Sequence, residues 1–257
     1  MSFLPPEILD LIADHLHDEP TTLKTCCTVS KSWVPRARKH LFARVEFYAS
    51  ESHMERWKKA FPDPSHSPAH HTRALFICGA LAVTAADAGV GGRIRTFHNV
   101  VHLKLVNLDR VSLVPFHALS PAVRSLHLTY FTADVFDLVC SFPLLEDLAL
   151  HILHPESQTD GWIPPSSSPK LTGSIRLRIH GRAHPVIRRL LDLPDGLHFS
   201  KINVMFYDNE TEPVADLVSR CSDTLESLHI LNCPSSTLPS VPVTSRHLTA
   251  ACESRHT

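Results

Sequence analysis

Apolar and polar positions along the chain follow two regimes that change near residue 70. In the first, Ile8, Ile12 and Leu16 recur at helical spacing with Leu9 and Leu11 beside them. This predicts a short amphipathic helix entered through Pro5 and Pro6. Pro20 follows its end, Thr21 or Thr22 caps a second helix, and Leu23, Cys26 and Cys27 supply that helix's apolar stripe up to about Val29. Trp33, Ala37 and Leu41 fall at i, i+4 and i+8 and predict a third helix, with Ser32 as N-cap and Pro35 in the first turn. A unit of this size buries little by itself, because domains near or below roughly 40 residues usually need a metal, a disulfide or a partner. Its missing support must come from a partner or from the rest of the chain.

Beyond the loop signal Pro62 to Pro68, a shorter pattern recurs: an apolar residue, two others, Leu or Ile, one polar residue, then Leu, Ile or Val. Its central anchors are Leu75, Leu103, Leu126, Leu148, Leu177, Ile202 and Leu228, separated by 28, 23, 22, 29, 25 and 26 residues. Helical signals lie between the copies, at Phe116 to Leu119, Asp134 to Phe142, Pro185 to Leu193 and Pro213 to Cys221. A single strand-helix unit cannot bury its own apolar face, so stacking predicts an open, curved solenoid with a parallel sheet on its concave side. The same alternation also admits a compact α/β domain.

Composition removes several function classes. The balance of 25 Lys+Arg against 26 Asp+Glu, with three Trp and three Tyr, offers neither the basic surplus nor the aromatic platform that nucleic-acid binding calls for. No apolar stretch approaches the roughly 18 residues of a membrane helix, and no signal-peptide pattern opens the chain. Seven cysteines without a C-x-x-C spacing predict buried thiols of a reducing compartment, so the expected location is cytoplasmic, nuclear or both. Gly89 to Gly92 lacks a third fingerprint glycine and a G-K-[ST] continuation, and reads as a loop before a helix. His66, His70 and His71 with Cys78 lack a closed metal-ligand spacing. No nucleophile elbow or H-E-x-x-H pattern is present, so neither a catalytic residue, a metal nor a cofactor is predicted. The charges of the first region, Glu7, Asp10, Asp14, Asp18 and Glu19 followed by Lys24 to Arg44, read as solvated faces.

Leu4-Pro5-Pro6-Glu7-Ile8-Leu9, then Ile12 and Leu16, then Val29-Ser30-Lys31-Ser32-Trp33, resemble the F-box motif in order and spacing over residues 4 to about 44. The later copies resemble the irregular leucine-rich repeats of fungal, basidiomycete-like F-box proteins. The resemblance departs at the polar ladder, where only the last copy, ending at Cys233, carries a residue of the family's Asn/Cys type. It implies an α+β chain. It implies that residues 1–48 form a three-helix F-box module, residues 49–69 a helix and linker, and residues 70–233 an α/β solenoid of irregular leucine-rich repeats, while the Ser/Thr/Pro-rich composition of residues 234–257 predicts a disordered tail. It further implies a non-catalytic substrate adaptor of an SCF-type ubiquitin ligase, docked on the Skp adaptor and through it on cullin. Carried over by position, Leu4, Pro5, Ile8, Leu9, Ile12 and Leu16 meet the adaptor, with Val29 and Trp33 near the joint between helices and Trp33 belonging to the module's core. A ligase-independent repeat scaffold that binds proteins is the alternative. In the solenoid, period-2 alternation sends the residues flanking each anchor to the concave face. Among them His102, Lys104, His127, Arg176, Arg178, Lys201 and His229 form the expected target-binding surface, suited to an acidic or phosphorylated segment of a protein partner.

Overall fold

The computed structural model describes residues 4–48, 52–79, 92–108, 113–119, 121–131, 135–152, 169–179, 184–206 and 212–231. The expected tail, Gly89 to Gly91 and the ladder residue Cys233 lie outside them.

A proline stands in the first two positions of each N-terminal helix, α1 (Pro6–His15), α2 (Pro20–Val29) and α3 (Val34–Leu41). There its missing N–H costs nothing and its fixed φ suits the helix. The expected caps are corrected. Pro20 itself starts α2, and the Thr22 hydroxyl donates to Glu19 Oε2 at 2.9 Å instead of capping. Ser30, in extended backbone, accepts from the Ser32 N–H at 3.3 Å and caps a 3-10 turn, Lys31–Trp33, that runs into α3. Ala13, Leu23 and Ala37 are fully buried, with Leu16, Cys27, Trp33 and Leu41 packed against them. This small core is separate from the core beneath the sheet.

Eight strands form one all-parallel sheet in sequence order: β1 (Arg44–Phe47), β2 (Ala74–Cys78), β3 (His102–Val106), β4 (Ser125–Phe131), β5 (Asp147–Ile152), β6 (Leu171–Ile179), β7 (Leu197–Phe206) and β8 (Ser227–Leu231). Between them lie α4 (Ser52–Ala60), α5 (Phe136–Cys140), α6 (His184–Leu191), α7 (Glu212–Arg220) and 3-10 turns such as Val114–Ala118. Each crossover advances one place in the same direction, and the right-handed rule for parallel connections then puts all of them on one face. Burial agrees. Leu75, Leu103, Leu126, Leu148, Ile175 and Ile202 make one cross-strand ladder, and Ile77, Leu105, Leu128, Leu150, Leu177 and Val204 the next, all at most 2% exposed. Fully burying each such side chain is worth about 1.5–3 kcal/mol. Parallel sheets are normally covered on both faces, whereas here the residues between the ladders are polar on β3, β6 and β7, with Lys104 and Arg176 exposed and Asn203 half-buried.

Two sequence expectations change. The sheet begins at Arg44, inside the stretch assigned to the helical module, because Phe42-x-x-Val45-x-Phe47 fits the repeat pattern with Val and Phe in place of Leu or Ile. Leu148 pairs with Ile175 rather than Leu177, a two-residue shift that keeps every side chain on its expected face. Residues 171–179 alternate throughout, so period alone leaves the register open. A register irregularity at Gly173/Ser174 accompanies the shift. Gly173 has φ +72°, and a β-carbon there would sit 2.5 Å from the Glu146 carbonyl oxygen. Gly173→Ala is expected to cost about 1–3 kcal/mol, read as a lower urea midpoint at unchanged slope.

Phe42, Phe47, Trp57, Phe61 and Phe97 fasten the N-terminal edge of the sheet to α4. Phe47 meets Trp57 edge-on at 5.6 Å and Phe97 at 6.0 Å, and Trp57 lies 5.7 Å from Phe97. Such pairs add about 0.5–1.5 kcal/mol beyond their buried area.

Candidate functional site

Two surfaces gather the residues singled out from the sequence. On the helical unit, Leu4, Ile8 and Leu11 are 56%, 41% and 54% exposed, and Val29 at the end of α2 is 75% exposed. Ile8 and Leu11, three residues apart in α1, lie on one stripe, and Leu4 is exposed just ahead of the Pro5 cap. Pro5 is exposed beside it, Leu9 and Ile12 are half-buried, and Leu16 and Trp33 turn into the small core. Leu11 was not among the expected contact residues. Its exposure follows from which side of α1 meets α2 and α3, and an apolar i, i+3 partner of Ile8 was the signal available.

The acidic run of α1 is more than a solvated face. Arg36 Nε donates to Asp14 Oδ1 at 2.5 Å, the same guanidinium reaches the other carboxylate oxygen, and His40 Nε2 lies 2.7 Å from Oδ1. The hydrogen bonds from Arg36, then His40, hold the Asp14 carboxyl well below the usual carboxylate range. Because the folded value is depressed, the tie contributes above the unfolded carboxylate value of about 3.9, and the contribution fades as pH falls through the lower folded value. Asp14→Asn is therefore expected to lower the thermal midpoint at pH 7, with the gap to the wild type closing as the medium is acidified below about pH 4.

On the open face of the sheet, the paired residues fall in cross-strand rows. One row reads Glu46, Phe76, Lys104, His127, Ala149, Arg176, Asn203 and His229 from β1 to β8. His102, Asp147, Ser174 and Lys201 stand in the row before it, and Thr129, His151, Arg178 and Met205 in the row after. The register shift thus moves Arg178 one row beyond its expected place, into line with His151, while Arg176 lines up with Ala149. All seven expected target-binding residues share this face, but His102, Lys201 and Arg178 lie one row away from the central row, and His229 lies on the last strand.

The acidic groups of the face are engaged. Arg44 Nε donates to Glu46 Oε1 at 2.7 Å and the Tyr48 hydroxyl donates to the other oxygen, so Glu46 is held below its ordinary value, chiefly by Tyr48. Asp147 accepts from the Ser174 hydroxyl at 2.5 Å. The Lys104 ammonium lies 5.3 Å above the Phe76 ring, and Asn203 donates to His229 Nδ1 at 3.3 Å. Two shallow depressions, of about 320 and 370 Å³, meet at Lys104 and His127. His127 is pushed down to about 4, first by burial and then by Lys104, Arg176 and His151. Tyr130, at φ 61°, sets its ring 4.7 Å from that of His151.

Among the described residues no three His, Cys, Asp or Glu side chains are grouped as a metal site, and no helix is long and apolar enough to cross a membrane. No protein family, characterised protein or solved structure matches the chain.

Proposed function

We propose that the chain is the substrate-recognition adaptor of an SCF-type ubiquitin ligase. Residues 4 to about 44 dock on the Skp adaptor, and the eight-stranded domain, read as an irregular leucine-rich-repeat solenoid, holds a target protein on its open face. One observation carries the reading. The stretch that resembles the F-box motif has a small core of its own and yet leaves Leu4, Ile8, Leu11 and Val29 in water. Several exposed aliphatic side chains on a unit this small support a docking surface for a partner. The strand order supports the second half, since strands that each pair with their neighbours in sequence are what stacked repeats produce.

In this role the chain performs no bond chemistry. It raises the local concentration of a target's lysines near a ubiquitin-conjugating enzyme brought by other subunits, and that concentration effect is the whole of its contribution to rate. Size-exclusion chromatography of the full chain with purified Skp adaptor tests the reading. A complex eluting ahead of both components, and able to recruit cullin, is the expected result. A well-folded chain that elutes alone would overturn it and leave the ligase-independent scaffold.

A further inference from the structure

β1 ends the sheet, and among the described residues no strand pairs with its outer edge. The Ala43 carbonyl accepts from the Arg73 and Ala74 N–H groups at 2.8 and 2.9 Å, so the backbone there faces β2. In a parallel ladder alternate residues bond to a given neighbour. Val45 and Phe47 therefore face β2, and the N–H and C=O of Arg44 and Glu46 point outward. Such an edge is a template for another strand, and it is commonly blunted with proline or lysine. β1 carries neither. Beside the edge runs a mostly apolar groove of about 440 Å³, walled by all four residues of β1 and by Trp57, Ala60 and Phe61. Ala60 is exposed and the two aromatic rings are half-buried, so the edge is open along its length.

Charge identifies the occupant. Arg44 and Glu46 stand two residues apart on the open face, and 74% of the Arg44 side chain is exposed. A second β1 laid antiparallel, Val45 opposite Val45, sets Arg44 of each copy opposite Glu46 of the other. Those are also the residues whose backbone points outward, so every outward N–H meets an outward carbonyl. Parallel pairing in register would instead set Arg44 on Arg44 and Glu46 on Glu46, which is destabilising.

We propose that the outer edge of β1 is a homodimer interface, in which β1 of a second copy of this chain pairs antiparallel about a two-fold axis at Val45 and joins the two eight-stranded sheets edge to edge. The contact is isologous, the same patch meeting itself, which closes the assembly at two copies. Backbone hydrogen bonds and the groove supply the affinity. The crossed Arg44 and Glu46 pairs set the register, because a shifted pairing loses both of them. The inference goes beyond the adaptor reading and does not depend on it. A dimer carries two open faces and two helical units, so a target with two recognised segments is held by both at once.

The test is sedimentation equilibrium of the full chain, with circular dichroism reporting the fold of each variant. The wild type is expected to dimerise reversibly. Arg44→Glu sets like charges opposite each other twice and should weaken the dimer about tenfold. Combining Arg44→Glu with Glu46→Arg restores both crossed pairs and should restore wild-type association. Glu46→Pro removes an outward N–H from each copy while leaving the bonds to β2 in place, and should weaken the dimer about tenfold or more in a chain that stays folded. A wild type that is monomeric up to its solubility limit, association unchanged by Arg44→Glu, or a double variant no better than the single one would overturn the proposal. The variants lie outside the residues assigned to the Skp adaptor. A monomeric chain that still captures the adaptor therefore sinks only this inference, and a dimer that ignores the adaptor sinks only the ligase reading.

Discussion

Replacing Ile8 and Leu11 together with aspartate should abolish capture of the Skp adaptor while leaving the chain folded. Both side chains are about half exposed, at 41% and 54%, and neither belongs to the small core formed by Ala13, Leu23 and Ala37. In a complex the exposed half of each would contribute about 0.7–1.5 kcal/mol of burial, and each replacement carboxylate would add the cost of desolvating a charge, about 1 kcal/mol or more. Together these correspond to a loss of at least about a hundredfold in affinity. Isothermal titration against purified adaptor measures it, with circular dichroism reporting the fold. The expected pattern is lost binding at an unchanged helical signal. Retained binding would move the interface away from the exposed stripe of α1.

Phe97→Ala should be the most damaging single truncation at the N-terminal edge of the sheet. Phe97 is 1% exposed and packs on Phe47 of β1 and Trp57 of α4. Phe→Ala in a core costs about 3–5 kcal/mol, against a whole-domain stability of about 5–15 kcal/mol. The loss concentrates where β1 and α4 join the later strands. Urea unfolding followed by tryptophan fluorescence should show a midpoint lowered by a large fraction, with Trp57 reporting the transition. A change below about 1 kcal/mol would mean that the aromatic cluster closes over the cavity.

Helix positions were legible in the sequence because proline marks each N-terminal helix start and apolar residues recur at i+4. The anchors of the later strands were legible because Leu or Ile stands where a parallel strand meets the core. Other features depend on information that a single pattern lacks. Val45 and Phe47 build β1 without a leucine, at a place where the helical motif was ending. In β6, alternation from Leu171 to Ile179 is satisfied equally by two registers, and pairing across the Gly173/Ser174 irregularity decides between them. Which apolar residues of α1 remain in water depends on how α2 and α3 cover it, so Leu16 goes inward and Leu11 outward. The Asp14–Arg36–His40 tie joins residues more than twenty positions apart, and charge runs alone suggested only solvation.

Amide hydrogen exchange of the full chain, with and without saturating Skp adaptor, tests the division of labour most directly. The account predicts slowed exchange confined to α1, α2 and the residue 4–8 entry, with β3 to β6 unchanged and their open face still free for a target. Protection across the open face of the sheet, or none anywhere at saturating adaptor, would contradict it.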